Sequence, residues 1–384
     1  MNRIVAFANA FWMTGRGIGG GDRRAIEILK RFATHSISVV LVTTKMGYEN
    51  FGRESHLKCF ITPYASHFDR FGVVVSYVMR AILCPVFFNP SNTDILYSTS
   101  GFLPDVFPPA IYKLRSKNTK WIQVLHHLIP HYSQRKGSSL FVNLVSYYEQ
   151  RISLFFVRHF SDVVVVVNPL MKEQLLLRGF NGQKVIISAN GVSQALFERA
   201  KTGNQKYDGA FLGRLHPSKG IYDLVRIWRI VNNNLKDAKL AIIGDSDERT
   251  RIKLEKEIRK SGAKIDILGF LDDEKVASTL KSSRVFLFPS YEEGFGISIL
   301  EAMASGLPVV AWNLPVYREI FQEGMIRVEI GSVNEFAKAV ITLLQDEKVR
   351  QTRSQISRRI SASYSWDNIA DNELRIVTKL AKAM

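Results

Sequence analysis

Cysteine is nearly absent: Cys59 and Cys84 are the two in 384 residues. Two thiols make neither a disulfide framework nor a cysteine metal cluster, and their scarcity fits a reducing compartment. Low-complexity tracts and internal repeats are lacking, as is a Gly-Lys-Ser/Thr phosphate loop. No long apolar run is free of interruption. The nearest approach, FGVVVSYVMRAILCPVFF at 71–88, carries Arg80 in its middle and Pro85 near its end, which argue against a membrane span. A core-packing helix is expected there, with a helix on a membrane surface as the alternative. The opening MNRIVAFANAFWM has Arg3 before a short apolar run. It has no small-residue cleavage pattern and leads straight into a Gly-rich loop, so a first buried strand is expected instead of a signal peptide.

Acidic residues are the minority charge. The chain carries 52 Lys and Arg against 35 Asp and Glu, a formal net charge of +17. The excess is concentrated early, with 23 basic against 11 acidic residues in 1–200 and 29 against 24 in 201–384. Such asymmetry suits an anionic partner, whether membrane phospholipid, a phosphorylated lipid acceptor or nucleic acid, and solubility alone accounts for it equally well. Because the basic residues are scattered and no nucleic-acid-binding module is present, nucleic acid is not expected.

What is present begins with length and apolar content. With 46% apolar residues, 384 residues suffice for two domains with sizeable cores. Residues 3–8 read as a strand. MTGRGIGGGDRRAIEILKRF follows as a Gly-rich loop (Gly15, Gly17, Gly19, Gly20, Gly21) entering an amphipathic helix that Asp22 is placed to cap. A glycine-rich turn between strand and helix is a phosphate-cradling arrangement. Strands and helices then alternate: 38–43, 71–88, 94–98, 121–125, a long helix 138–158 rich in Tyr, Phe and Arg, and the buried strand DVVVVVN at 162–168. The long helix fits either a domain edge or a membrane surface. Histidines in VLHHLIPHY stand just past a strand, where they serve as polar residues at a strand end or as ligand contacts. With no carboxylate or cysteine cluster beside them, a metal site is not expected.

In the second half, GAFLGRLHPSKGIYDLVRIW places Arg214 and Lys219 on a loop before a helix, a pair that suits a diphosphate but also occurs as plain solvated charge. Asp272 and Asp273 precede a helix and are expected to cap it rather than bind metal. The stretch RVFLFPSYEEGFGISILEAMASGLPVVAW, 284–312, reads as strand, loop, helix and strand. Glu293 lies in its loop and Glu301 inside its helix, with Gly294, Phe295 and Gly296 after the first carboxylate. That E-x7-E pattern fits two ligand-facing carboxylates or, equally, a solvated helix acid after a turn.

PSYEEGFGISILEAMASGLPVVA resembles the signature of the retaining, family-4 glycosyltransferases of GT-B fold (glycosyl transferases group 1), and GRLHPSKG is similar to that family's GR-x4-KG motif. The resemblance implies two Rossmann-like α/β domains facing an interdomain cleft: residues 1–198, a linker 199–207, residues 208–364, and a C-terminal helix 365–384 crossing back to the first domain. It implies transfer of a hexosyl-type group from a nucleoside diphosphate sugar to an acceptor hydroxyl, with no catalytic metal or other cofactor. Glu293 and the backbone at Gly294, Phe295 and Gly296 would contact the donor sugar. Glu301 would accept from the ribose hydroxyls, and Arg214 and Lys219 would stabilise the leaving diphosphate. In the first domain Gly19 and Gly20 would face the donor phosphates. His126, with His127 as the alternative, would lie near the sugar, whereas His131 is too far into its loop. AIIGDSD (241–247) is similar to the family's Gly-Asp-Gly loop but has Ser246 in place of the second glycine. The family points to a glycan or lipid-linked acceptor in glycolipid or cell-surface polysaccharide synthesis, and to a cytoplasmic protein, peripheral on an anionic membrane if the basic first domain docks there. A nucleotide-sugar epimerase of the same fold and a non-catalytic nucleotide-sugar-binding partner are the rival functions.

Overall fold

Short runs of Val, Ile, Leu and Phe bounded by Gly, Pro and Ser are apolar on both faces, as strands of a parallel sheet covered by helices on both sides must be. The computed structural model describes residues 3–12, 18–35, 37–52, 57–116, 118–135, 140–202 and 207–382. Gly15, Gly17, Ser138 and part of the expected linker, 203–206, lie outside the described residues. Among those described, two compact units form, and each contains one wholly parallel sheet.

The first unit takes the chain up to Trp12, then Ile18–Asn190, then the chain from Trp366 onward. Its strands are β1 (Ile4–Ala8), β2 (Val39–Thr43), β3 (Lys58–Ile61), β4 (Ile95–Ser98), β5 (Lys120–Leu125), β6 (Val163–Val166) and β7 (Val185–Ile187), in the order β3-β2-β1-β4-β5-β6-β7. The chain winds outward one way from β1 and then returns to β4 to wind the other way. Both neighbours of β1 pair with it in register, Ile4 opposite Val39 on one side and Ile95 on the other. The carboxyl ends of β1 and β4 therefore flank the topological switch point, where the loops diverge and leave a crevice. Crossover helices are α1 (Gly20–Thr34), α2 (Val73–Phe87), α3 (Leu103–Arg115), α4 (Leu140–Phe160) and α5 (Pro169–Leu176), with α3 packed between α2 and α4.

The second unit, Gly191–Ser365, repeats the plan. α6 (Gln194–Arg199) leads into β8 (Tyr207–Leu212), β9 (Leu240–Ile243), β10 (Ile265–Gly269), β11 (Ser283–Phe288), β12 (Val309–Trp312) and β13 (Met325–Val328), ordered β10-β9-β8-β11-β12-β13. Its switch point is β8/β11, and its crossover helices begin with α7 (Ile221–Asn234), α8 (Glu248–Ser261) and α9 (Asp273–Lys281). Two α/β units of Rossmann type are what the alternating pattern predicts.

Helix α2 departs from the core-packing expectation for 71–88. Arg80 is fully buried, whereas Val74, Val75, Val78, Ile82 and Val86 are exposed. Its guanidinium bonds backbone carbonyls beyond β1, and satisfying that buried charge fixes which way the helix is turned. The C-terminal helix, Trp366–Ala381, packs on α1 within the first unit. Its Glu373 carboxylate is buried, ion-paired with Arg24, and accepts from the Tyr97 hydroxyl at 2.7 Å and the Ser188 hydroxyl at 2.6 Å.

Removing one member of a buried ion pair leaves the other uncompensated, typically costing about 3–5 kcal/mol. Glu373→Gln is expected to destabilise the first unit by about that much, and Arg24→Met in the same chain to recover more than half of it. Urea denaturation of the two single variants and the double variant measures the coupling. Additive losses would mean that the pair does not hold the helix.

Candidate active site

Each switch point is lined by loops that follow strands, and the side chains that shape them come from far along the chain. In the second unit, β8 and β11 are parallel neighbours, so the loop at 213–220 and the loop at 289–296 leave the sheet side by side. Three contacts lock them together. The Tyr291 N–H donates to the Ser218 carbonyl at 2.8 Å, and the Lys219 ammonium pairs with the Glu293 carboxylate across 74 residues of sequence. The third contact is steric: Gly220 has φ +69°, and a Cβ there would stand 2.0 Å from the Pro289 carbonyl oxygen, so only glycine fits. Lys219 also lies 5.9 Å from the centre of the Phe288 ring. Both members of the ion pair are largely shielded, with 18% and 10% of their side-chain surfaces exposed, so solvent screens their attraction less than it would at the open surface.

Arg214 stands on the same loop as Lys219, exposed and without a side-chain partner among the described residues. Gly296 is the N-cap of α10 (Ile297–Ala304) with φ +106°, and Glu301 sits half-buried in that helix. Phe295 is 3% exposed. Its ring meets Phe321 and Tyr364 edge-on at 5.8 and 5.9 Å, so the side chain anchors the loop and only its backbone is available to a ligand. Asp272 accepts from the Lys275 N–H at 2.8 Å as a helix cap.

In the first unit the loop after β1 is gripped peptide by peptide. Asp105 accepts from the N–H groups of Asn9 at 2.6 Å and Ala10 at 3.1 Å and from the Ser100 hydroxyl at 2.6 Å. From the other side the Arg80 guanidinium donates to the carbonyls of Asn9 and Phe11 at 2.9 and 2.8 Å, and the Tyr77 hydroxyl donates to that of Ala10 at 2.5 Å. Asp69 balances the Arg80 charge at 2.8 Å. Burial pushes the Asp105 carboxyl up to about 7 against these donors, and burial likewise pushes Glu149, which accepts from the Leu103 N–H, up to about 7.

This loop delivers Gly19 as the N-cap of α1 and Gly20 as its first residue, both exposed. His126, at the end of β5, lies against the same helix terminus: a Cβ on Gly21 would come within 2.8 Å of the imidazole. The His126 Nε2 is 2.7 Å from the Thr99 carbonyl, which assigns the proton to that nitrogen in the neutral ring. Nδ1 is buried without a partner among the described residues. Burial, then the Arg24 charge, lower the imidazole to about 4 against the raising effect of the Thr99 bond. The ring is therefore neutral at pH 7 and offers Nδ1 as an acceptor.

The expected residues thus fall into two groups: Gly19, Gly20 and His126 at β1/β4, and Arg214, Lys219, Glu293, Gly294, Phe295, Gly296 and Glu301 at β8/β11. Sequence reasoning named Gly21 as a loop glycine but not its place against His126, and it missed Asp105, Arg80 as a loop clamp, and Tyr317. Tyr317 is fully buried, its hydroxyl has no hydrogen-bond partner among the described residues, and the Glu293 charge adds to burial in raising its pKa. No motif marks it, since its position depends on how Pro315–Ile320 packs beside Gly296.

Residues 193–360 match the family model described as glycosyl transferases group 1. An uncharacterized glycosyltransferase of Methanocaldococcus jannaschii is 26% identical over 58% of this chain and 60% of its own. The phosphatidyl-myo-inositol mannosyltransferase of Mycobacterium leprae is 30% identical over 44% of this chain and 46% of its own. The chain thus spans about half the length of the curated relatives it matches. Sucrose-phosphate synthase of Thermosynechococcus elongatus superimposes with a TM-score of 0.80 at 18% identity, covering all of both chains. HepE of Anabaena, solved with UDP and glucose, superimposes with a TM-score of 0.75 at 17% identity over 98% of this chain and 100% of its own. The fold is GT-B.

The His126 environment has a measurable consequence. Its folded pKa of about 4 lies below the unfolded value of about 6.5, so the stability it carries is present above that value and lost as pH falls toward 4. Asp105 and Glu149, raised in the fold, act oppositely in the same window, so the informative quantity is a difference between variants. His126→Gln is expected to remove up to about 3 kcal/mol of acid sensitivity between pH 7 and pH 4. Urea melts at the two pH values measure it, and parallel pH profiles for wild type and variant would contradict the buried neutral ring.

Proposed function

We propose that this chain, whose residues 193–360 form a glycosyl transferases group 1 domain, is a retaining glycosyltransferase. It moves a hexosyl-type group from a nucleoside diphosphate sugar to an acceptor hydroxyl. The observation that carries the proposal is the β8/β11 switch point, where the exposed Arg214 and a Lys219 held by Glu293 stand on the loop beside the one that leads into α10. Two cations beside a helix N-terminus are the equipment for a diphosphate leaving group. The capture of UDP and glucose by HepE supports a nucleotide-sugar donor.

In this mechanism the diphosphate binds Arg214 and Lys219 while Glu293 and the backbone at Gly294–Gly296 hold the sugar and Glu301 the ribose. The bond from the anomeric carbon to the β-phosphate oxygen breaks and that from the acceptor oxygen forms on the same face. The departing phosphate oxygen takes the acceptor proton, so no side-chain nucleophile is required. Charge on the leaving group grows as the bond lengthens, and fixed cations stabilise it most at that moment. In the first unit Gly19, Gly20 and His126 are candidate ligand contacts at β1/β4. The chain's own cations supply the stabilisation, so we assign no metal. A lipid-borne acceptor, and with it a role in glycolipid or cell-surface polysaccharide synthesis in the cytoplasm beside an anionic membrane, is the reading we favour; the mannosyltransferase relative named for phosphatidyl-myo-inositol supports it.

Thermal melting with UDP-, GDP-, ADP- and dTDP-sugars in chelator-containing buffer tests the site. One donor is expected to raise Tm, and Glu301→Ala and Arg214→Ala to abolish the shift, because a ligand that binds only the folded state must stabilise it. With that donor, Arg214→Ala should lower turnover by about 10²-fold or more. Absence of any shift at millimolar donor, or full turnover by the Arg214 variant, would overturn the assignment.

A further inference from the structure

Helix α4 is inside out. Of its side chains, Asn143, Gln150, Ser153 and Val157 are buried, three of them polar. Phe141, Leu144, Tyr148, Ile152 and Phe155 face solvent with 68%, 38%, 51%, 52% and 57% of their surfaces exposed. Their spacing of three and four residues makes one continuous stripe, about 21 Å long at 1.5 Å per residue. Hydrogen bonds fix this orientation. The Gln150 amide accepts from the Ile129 N–H at 2.7 Å and donates to the His127 carbonyl at 2.9 Å, so rotating the stripe inward would strand both partners.

Helix α2 shows the same inversion, with Val74, Val78, Ile82 and Val86 outward at four-residue intervals and Arg80 inward. Phe71 is exposed just before it, under the Arg70 guanidinium at 4.8 Å. Because α3 packs between α2 and α4, the two stripes belong to one helical layer of the unit. Charge on the layer has one sign. Arg151 and Arg158 are exposed on α4, whose single carboxylate, Glu149, is turned to the Leu103 N–H, and α2 has no acidic residue.

We propose that the outward faces of α4 and α2 dock on an anionic phospholipid bilayer, with the Phe, Ile, Leu and Val side chains entering the headgroup boundary. Arg70, Arg151 and Arg158 meet lipid phosphates. Aliphatic and aromatic side chains interleaved with arginine are the composition of an interfacial helix, whose long cationic side chains reach past the apolar layer to the headgroups. A second copy of this chain is the poorer occupant, because a two-fold self-contact would bring Arg151 and Arg158 toward their own equivalents, with the one carboxylate of α4, Glu149, already engaged by the Leu103 N–H. The proposal deepens the assignment of an anionic membrane to the basic first unit and stands apart from the chemistry at β8/β11.

Flotation of the full chain with lipid vesicles tests it. Binding is expected to vesicles containing about a third phosphatidylglycerol, to weaken at high salt, and to be slight with phosphatidylcholine alone. Phe141→Ser, Ile152→Ser and Phe155→Ser combined should reduce flotation about tenfold or more, and Arg151→Gln with Arg158→Gln should remove the preference for anionic lipid. Ile252→Ser, an exposed apolar position in the second unit, should float as wild type does. The altered side chains are exposed, so Tm and any donor-induced shift should stay at wild-type values, which separates loss of docking from loss of fold or of the donor site. The proposal fails if wild type does not bind anionic vesicles, or if the triple variant floats equally well. It fails also if wild type is a dimer that the triple variant dissolves while vesicles leave it in solution.

Discussion

The parallel pairing of β8 with β11, and of β1 with β4, is the constraint on which the rest of the structure depends. Parallel neighbours must be joined by crossovers, so every connecting loop at the carboxyl edge is free to diverge only where the winding reverses. At β8/β11 that reversal sets Lys219 beside Glu293, Gly220 against the Pro289 carbonyl and Tyr291 on Ser218. The loops are rigid because each contact closes a gap between adjacent strands. Rigidity there matters for the proposed chemistry, since fixed cations need no reorganisation when charge develops.

The first unit solves a different problem with buried polar groups. A loop leaving β1 cannot continue the sheet ladder, and its peptide groups would be costly if left bare in the interior. Asp105 takes the N–H groups, while Arg80 and Tyr77 take the carbonyls. That same use of Arg80 turns α2 so that its valines face out, and Gln150 does likewise for α4. The unusual outer surface of the unit is thus coupled to the geometry of its loops: satisfying the inner polar groups leaves the apolar stripes outside.

Much of this was legible in the chain itself. Val, Ile and Leu runs bounded by Gly and Pro gave two parallel α/β units, and the segments GRLHPSKG and PSYEEGFGISILEAMASGLPVVA located the β8/β11 residues, because short loops and glycines at fixed offsets are local properties. The direction a helix faces was not legible. The apolar segment 71–88 reads as core by composition, yet a single buried guanidinium with carbonyl partners outweighs the preference of several valines, since stranding a charge costs more than exposing apolar surface.

The sequence by itself determined the two-sheet architecture, which loops bear Arg214, Lys219 and Glu293, and which helix bears Glu301, because hydrophobic periodicity and turn chemistry act over a few residues. Only the tertiary structure decided that Lys219 pairs with Glu293, that His126 is neutral against Gly21, that Tyr317 stands beside Gly296, and that α4 turns its aromatic stripe outward. Those outcomes depend on contacts between residues tens to hundreds of positions apart, which bury particular polar groups, and neither composition nor spacing specifies which groups will meet.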